Sequence, residues 1–167
     1  MRIVKHGEKV LRQACEPVDY AAVKRELPRL LRDMFQTMYS VRGVGLAAPQ
    51  VGLNLRLSVI DVRPEGKAQR LVLINPVIVS KSGKVVHEEG CLSLPGVWAE
   101  VERCAKVTIK ALDARGRPYE MTGEGMLARA FQHEVDHLNG KLFIDHLDFI
   151  TKLKVMSVIK EARKNWT

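Results

Sequence analysis

The chain has 167 residues, of which 46% are hydrophobic and 28% are charged. These fractions are close to those of average globular proteins, so they exclude a disordered, collagen-like or fibrous protein. The length predicts a single domain over residues 1–167. The longest stretch without a charge, Gly43 to Leu55, has only 13 residues and is too short to cross a membrane. Because the amino-terminal residues contain no continuous apolar segment typical of a secretion signal, we expect a cytosolic protein.

The charge balance is basic, with 27 Lys and Arg against 19 Asp and Glu and a formal net charge of +8. Such a charge favours polyanionic surroundings such as nucleic acid, ribosomes or acidic lipid, but an ordinary basic surface explains it equally well. The cysteines Cys15, Cys91 and Cys104 lack the spacing of a disulfide framework. Each is therefore available as a thiol or as a metal ligand.

The first predicted element is an amphipathic helix between Leu27 and Val41, with Pro28 in the first turn, where proline is tolerated. After a glycine-rich segment, short runs of β-branched residues predict antiparallel strands joined by hairpins. These strands are predicted at residues 55–61, 71–74, 77–79, 84–88, 97–101 and 106–112. Turn residues separate them at 63–66, 81–83 and 113–116.

Two further helices are predicted after the strands. The second helix has apolar residues at helical spacing and ends at Asn139-Gly140, a typical C-terminal stop: Leu127, Phe131, Val135 and Leu138. The third is predicted at about residues 148–165, with Asp148 as N-cap and one apolar side docked on the domain: Ile150, Leu153, Met156 and Ile159. Strands grouped together and flanked by helices indicate an α+β fold, with antiparallel β-sheets packed around the second helix and a C-terminal helix.

The strongest chemical signal is an H-E-x-x-H pattern inside the second predicted helix. Residues four positions apart lie one turn above each other, so His133 and His137 can bind one metal ion while Glu134 lies beside it. The alternative is two exposed histidines on a helix face. That alternative is weaker because the pair is interleaved with the apolar positions Phe131 and Val135.

A catalytic site of the zinc type needs three protein ligands and an open position for water, so a third ligand must come from elsewhere. The extended metzincin pattern is excluded because its last histidine would stand at Phe143. A glutamate of the thermolysin type remains open at Glu161. Cys91, in a Gly-Cys-Leu-Ser segment, is the other candidate, although a single cysteine is more often a buried structural thiol.

A glycine-rich segment, Gly43–Gly52, follows the first predicted helix. Its small residues let a backbone approach a ligand closely, and Gln50 offers an amide donor and acceptor. The segment has neither the G-x-G-x-x-G spacing nor the Gly-Lys-Ser/Thr of a phosphate-binding loop, which argues against a nucleotide site. By itself it would be interpreted as a tight turn between a helix and a strand.

Together, three segments closely resemble the signature motifs of the peptide deformylase family, in the same order. They are Gly43–Gln50 (GVGLAAPQ), Glu89–Ser93 (EGCLS) and Gln132–Gly140 (QHEVDHLNG). The resemblance covers essentially the whole chain. It implies a bacterial or organellar enzyme, for which we expect the bacterial cytoplasm, that removes the formyl group from the initiator methionine of nascent polypeptides.

The resemblance implies a metal-dependent hydrolase whose ligands are Cys91, His133 and His137. They would hold one divalent ion per chain, usually Fe2+, with Zn2+, Ni2+ or Co2+ as alternatives. Metal-bound hydroxide would attack the formyl carbon, and Glu134 would act first as general base and then as general acid.

The resemblance also assigns the rest of the site. The Gln50 side chain and the Leu92 backbone N–H would stabilise the oxyanion. The methionine side chain would be bound by Val44, Gly45 and Leu92. Two positions depart from some members of the family: Trp98 replaces an arginine at the edge of the cleft, and Arg129 replaces an apolar residue of the methionine pocket.

Two other functions remain open at this stage. A metalloendopeptidase would use Glu161 as third ligand and would leave the other two motifs without a role. A basic nucleic-acid-binding module with a structural metal would need a closed four-ligand site and interleaved aromatic residues. Only 5% of the residues are aromatic, and no fourth ligand pairs with Cys91.

The last predicted helix carries much of the positive charge. From residue 152 to residue 167 there are five basic residues and one acid, Glu161, a balance of 5 − 1 = +4: Lys152, Lys154, Lys160, Arg163 and Lys164. Because the substrates of the family, N-formylmethionyl peptides, emerge from the ribosome, we predict that this helix contacts the ribosome. The alternative is a solvated helix that only supports the fold. No membrane partner is expected.

Overall fold

The computed structural model describes residues 1–63 and 66–166. The helices are α1 (Tyr20–Val23), α2 (Leu27–Ser40), α3 (Gly125–Leu138) and α4 (Phe149–Ala162). The strands are β1 (Gly45–Ala47), β2 (Leu57–Asp61), β3 (Arg70–Ser82), β4 (Val85–Cys91), β5 (Leu94–Arg103), β6 (Lys106–Leu112) and β7 (Pro118–Glu124). Among these described residues, no helix combines the length and the apolar character that a bilayer span requires.

The strands form two antiparallel sheets. Five of them pair in the order β1-β2-β3-β6-β7, and β4 pairs with β5 in a separate hairpin. Every residue of β2 is buried, because β2 lies inside the larger sheet and both faces of that sheet are covered. On one face Leu57 and Val59 pack in a cluster with residues of α2, and on the other Ile60 packs with Phe131 of α3. The predicted α+β fold, with antiparallel sheets around the H-E-x-x-H helix, is confirmed.

The β4–β5 hairpin has a hydrophobic cluster of its own. Inward residues of β5 pack against the segment after α3 and against α4, and the largest side chain of the cluster is Phe143. The start of α4 is determined by Asp148, whose carboxylate accepts hydrogen bonds from the backbone N–H groups of Ile150 and Thr151, each at 3.0 Å. This is the N-cap predicted from the sequence.

The bounds predicted for the C-terminal helix agree with α4 and the 3-10 turn Arg163–Asn165 that follows it, but its docked side was predicted wrongly. Val155 and Ile159 are buried against the hairpin. Of these two residues, only Ile159 was predicted to be buried. The other predicted contacts are exposed, by 65%, 56% and 39%: Ile150, Leu153 and Met156. Apolar residues occur on nearly every side of this helix, so their spacing could not identify the buried one.

The strand predictions were correct in place but partly wrong in pairing. The runs 71–74 and 77–79 are one strand, β3, which contains two irregularities in its register with β6. The turn at 81–83 does not close a hairpin, because β3 pairs with β6 while β4 pairs with β5. The turn at 113–116 does join the paired strands β6 and β7. Strands β1 and β7 were not predicted, and the turn predicted at 63–66 includes residues 64 and 65, which lie outside the described residues.

Candidate metal centre and active site

Helix α3 presents the two histidines of the motif to the space between the two sheets. The imidazole centroids of His133 and His137 are 5.0 Å apart, and the ring planes meet at 75°. His137 is buried and His133 is partly buried. The predicted pairing of these side chains on one helix face is therefore present.

Cys91 is the last residue of β4 and reaches the same space because the hairpin is irregular there. Gly90 pairs with Trp98, but the next residue, Cys91, pairs with Leu94, so the register between the two strands shifts at this point. A shift of this kind re-aims a side chain. The Cys91 Sγ lies 3.3 Å from the His137 Nε2.

The three side chains fit a divalent metal ion. One ligand atom from each of Cys91, His133 and His137 lies within 4.8 Å of the other two. A thiolate with two imidazoles is a donor set for Zn2+, Fe2+ and neighbouring transition metals. Three ligands leave a coordination position open for water, as a catalytic site requires.

The electrostatics of this cluster favour the thiolate form of Cys91. Burial alone would raise the pKa of the thiol, but the imidazoles of His137 and His133 hold it well below its ordinary value. Burial likewise opposes a charge on His133, but hydrogen bonds to Cys91 and Glu89 raise its pKa well above the ordinary value. The thiolate is the form of cysteine that binds metals.

Glu89 holds the second nitrogen of His133. Its Oε2 lies 3.3 Å from the His133 Nδ1, and Arg103 donates two hydrogen bonds to the same carboxylate, at 2.9 and 3.0 Å. Burial raises the pKa of Glu89, but these partners outweigh it and lower the value to about 2. A carboxylate that accepts from the outer nitrogen of a ligating histidine fixes the ring orientation.

The sequence reasoning missed this network. Arg103 also donates to the Asp136 Oδ2 at 2.6 Å, and the His146 Nε2 lies 2.7 Å from that oxygen. The strand pattern contained a signal for Arg103, because alternate residues of β5 are buried and Arg103 continues the buried series. A charged residue at such a position is paired.

Glu134 is 2% exposed, and its Oε2 has no hydrogen-bond partner among the described residues. Burial raises its pKa to about 7, although the nearby imidazoles of His133 and His137 act in the opposite direction. Gly45 of β1 covers this carboxylate so closely that an added Cβ would overlap it. A larger residue at position 45 would therefore displace the Glu134 carboxylate.

Gln50 also faces the ligands. The glycine-rich segment is not a simple turn: it continues from β1 into a 3-10 turn, Ala48–Val51, in which Gln50 is 1% exposed. The Gln50 Oε1 accepts from the Ala47 N–H at 2.9 Å, which fixes the amide orientation. Its Nε2 then lies 3.4 Å from the Cys91 Sγ and 3.4 Å from the Ser93 Oγ.

A cavity of about 540 Å³ opens beside Cys91, His133 and Glu134. Its wall includes the predicted substrate-binding residues Val44, Gly45 and Leu92. Trp98 stands at the cavity with 61% of its surface exposed, and its ring lies against Gly90. Arg129 of α3 lies on the wall as well.

Comparisons with known proteins agree with this geometry. A family model described as polypeptide deformylase matches residues 1–153. The chain is 48% identical over 172 residues to a peptide deformylase of Elusimicrobium minutum, covering 99% of this chain and 98% of that protein. A solved peptide deformylase of Legionella pneumophila is 47% identical with a TM-score of 0.90, covering 98% of this chain and 95% of that one. The chain belongs to the peptide deformylase family.

Peptide deformylases remove the N-formyl group from nascent peptides, so this chain is a metal-dependent hydrolase with that activity. A deformylase of Synechococcus elongatus, solved in complex with actinonin, is also similar: it is 42% identical with a TM-score of 0.88, covering all of this chain and 89% of that one. The family predicted from three sequence motifs is confirmed.

Membership of the deformylase family removes the two alternative functions. Glu161, the third ligand of the endopeptidase alternative, is 67% exposed on α4, and its Oε2 accepts from the Lys164 Nζ at 2.6 Å. The nucleic-acid-binding alternative required a closed site with four ligands. Within residues 1–63 and 66–166 the cluster has three: Cys91, His133 and His137.

Proposed function

We propose that deformylation takes place in a single domain, residues 1–167, whose metal ligands are Cys91, His133 and His137. The observation that carries this assignment is the convergence of three donor atoms within 4.8 Å beside the buried, unpartnered oxygen of Glu134. When bound, a divalent ion lowers the pKa of a coordinated water and polarises the formyl oxygen. The protein supplies the ligand geometry, the proton carrier and the oxyanion donors.

Glu134 carries the proton. A carboxyl group with a pKa near 7 can accept a proton from water and return it to the leaving amine at neutral pH. Burial excludes bulk water as a competing proton acceptor, and the absence of a side chain at Gly45 leaves room for the carboxylate against β1. Glu134 is therefore a base in the first half of the reaction and an acid in the second.

The oxyanion is stabilised by the Gln50 side chain and the Leu92 backbone N–H. Gln50 suits this role because the Ala47 N–H holds its carbonyl end, leaving the Nε2 donor directed at the ligands. Preorganised donors of this kind contribute most where charge develops during the reaction. The substrate's methionine side chain occupies the part of the cavity lined by Val44, Gly45 and Leu92.

Iron is the metal we assign to the site, with Zn2+, Ni2+ or Co2+ able to replace it in vitro. The test is purification without oxygen, followed by metal analysis and an assay of amine release from a formyl-methionyl peptide. We expect one Fe2+ per chain and high activity that declines in air, because the metal and the Cys91 thiolate are both oxidisable. An iron form that stays active indefinitely in oxygen would contradict the assignment of the metal.

The protein acts in the bacterial cytoplasm on N-formylmethionyl peptides. It binds the ribosome through α4. The α4 residues Lys154 and Lys160 and the following Arg163 are exposed and form no ion pair with the carboxylates that the structure describes. Exposed apolar residues accompany them, with Phe149 at 75% and Leu153 at 56% exposure. Basic and apolar side chains together suit a surface built from RNA and protein.

Reversing three charges at the end of the chain is expected to weaken ribosome binding. The variant changes Lys160, Arg163 and Lys164 to glutamate, and ribosome co-sedimentation at low salt measures the effect. Because each phosphate contact contributes to the salt dependence, binding should fall by at least about tenfold. Turnover of a free formyl-methionyl peptide should not change.

A matched control carries the same change of net charge elsewhere. Lys67, Lys81 and Arg115 are exposed and lie outside α4, so their reversal to glutamate should leave co-sedimentation close to that of the native protein. Equal losses for the two variants would mean that only net charge matters. Undiminished binding of the first variant would refute the role of α4 and leave the catalytic proposal unaffected.

A further inference from the structure

Arg129 lies on a stripe of α3 that runs along the active-site cavity. Cavity-lining residues recur at spacings of three and four, which places them on one face of the helix: Met126, Arg129, Ala130 and His133. The stripe ends at the metal site, because His133 is one of the three converging side chains. A cationic residue therefore lies on the cavity wall about one helical turn from His133.

The Arg129 side chain is partly buried, and its guanidinium makes one hydrogen bond to a neighbour on the same helix face. Its Nη2 donates to the Met126 Sδ at 3.2 Å. Its Nε is buried and has no acceptor among the residues that the structure describes. Buried donors are nearly always satisfied by protein, water or a ligand, so the Arg129 Nε is available to an acceptor that enters the cavity.

The distance between Arg129 and His133 along α3 can be compared with the length of the substrate's methionine side chain. Arg129 and His133 are four residues apart, so they are separated by about one helical turn, or roughly 5.4 Å. The sulfur of an extended methionine side chain lies on the order of 4 Å from its Cα. A formyl-methionyl substrate whose formyl group is at the metal site, with its side chain along α3, brings its sulfur close to the level of Arg129.

We propose that Arg129 donates a hydrogen bond to the sulfur position of the substrate's methionine side chain, and that the site consequently also accepts formyl-methionine sulfoxide. This inference rests on the methionine pocket of the proposed function. The contact with Met126 is an example, within the same cavity, of this guanidinium binding a thioether. A thioether is a weak acceptor, whereas the oxygen of a sulfoxide is polar and suits a cationic donor.

The strength of the hydrogen bond from Arg129 therefore depends on how good an acceptor the substrate carries at its sulfur position. Norleucine has a methylene at that atom and provides no acceptor. Methionine provides a weak acceptor, and methionine sulfoxide provides a strong one. An entirely apolar wall would exclude the sulfoxide, because its oxygen would be buried without a donor.

The test uses three peptides that differ only at the first residue: formyl-methionyl, formyl-norleucyl and formyl-methionine sulfoxide. Each kcat/KM is divided by that of the norleucyl peptide, for the native enzyme and for Arg129→Leu. The methionine ratio should fall about threefold in the variant, and the sulfoxide ratio should fall at least about tenfold. Arg129→Lys, which keeps a cationic donor, should retain a sulfoxide ratio between those of the native and leucine enzymes.

Arg25→Leu is the matched control, because Arg25 is an exposed cation that does not line this cavity. It should leave both ratios as they are in the native enzyme. Equal losses for all three peptides in Arg129→Leu would overturn the inference, since they would assign Arg129 to a group that the peptides share. The proposed function would survive that outcome. It would fall, together with the inference, if the native metal-loaded enzyme hydrolysed none of the three peptides.

Discussion

Glu134→Gln is expected to retain one metal ion per chain and to lose nearly all turnover. Glu134 is not one of the three converging ligands, and its carboxylate is buried beside them. Glutamine preserves the size of the side chain but cannot carry a proton between water and the leaving amine. Loss of a general acid–base lowers kcat by at least about 100-fold. The measurements are metal content and kcat on a formyl-methionyl peptide.

Glu88→Gln provides the control for this experiment. Glu88 lines the same cavity but is exposed on β4, so its amide variant removes a negative charge near the site without removing the proton carrier. We expect a small change in KM and a kcat close to that of the native enzyme. If Glu134→Gln instead lost its metal, Glu134 would be a ligand and its assignment as proton carrier would be wrong.

Cys91→Ala is expected to lose the metal, and its activity with it. The three donor atoms converge without a fourth protein ligand among the described residues, so removal of the thiolate leaves two imidazoles. Two neutral ligands bind a divalent ion much more weakly, and we expect the affinity to fall more than about 100-fold. Metal content after dialysis against a chelator measures this loss.

Two variants show whether the effect is specific to Cys91. Cys15→Ala removes a buried thiol whose pKa is raised by burial to about 11, so that thiol is not prepared to bind a metal. Glu161→Ala removes the ligand that an endopeptidase would need. Both should keep metal and activity. Retention of metal by Cys91→Ala together with its loss from Glu161→Ala would restore the endopeptidase mechanism.

The cluster of residues that we propose as ligands and proton carrier could be predicted from the sequence because these residues are concentrated in short motifs. His133, Glu134 and His137 occupy one turn of a helix, and the spacing determines their common face. Cys91 and Gln50 are remote in sequence, and the residues alone left the third ligand open between Cys91 and Glu161. Only the resemblance of three segments to one family decided between these two residues.

The predictions that failed depended on contacts between distant parts of the chain. Spacing alone could not identify Val155 as a buried residue of α4, because the position of the β4–β5 hairpin determines which side is covered. The hairpin predicted at 81–83 failed for a similar reason: β3 pairs with β6, a strand more than twenty residues later. The ion pair of Arg103 with Glu89 likewise joins two strands and approaches α3 only in the folded protein.

The register shift after Gly90 has a consequence for the stability of the whole fold. It brings Cys91, at the end of one hydrophobic cluster, to two histidines on the helix that completes another. An ion held by these side chains is a removable cross-link that closes a loop of about forty residues between β4 and α3. The unfolded chain does not hold these three ligands together, so the binding energy of the ion stabilises the folded state. Loss of the ion should therefore weaken the attachment of the β4–β5 hairpin and α4 to the larger sheet. The ion proposed for catalysis would thus also connect the two hydrophobic clusters of the core.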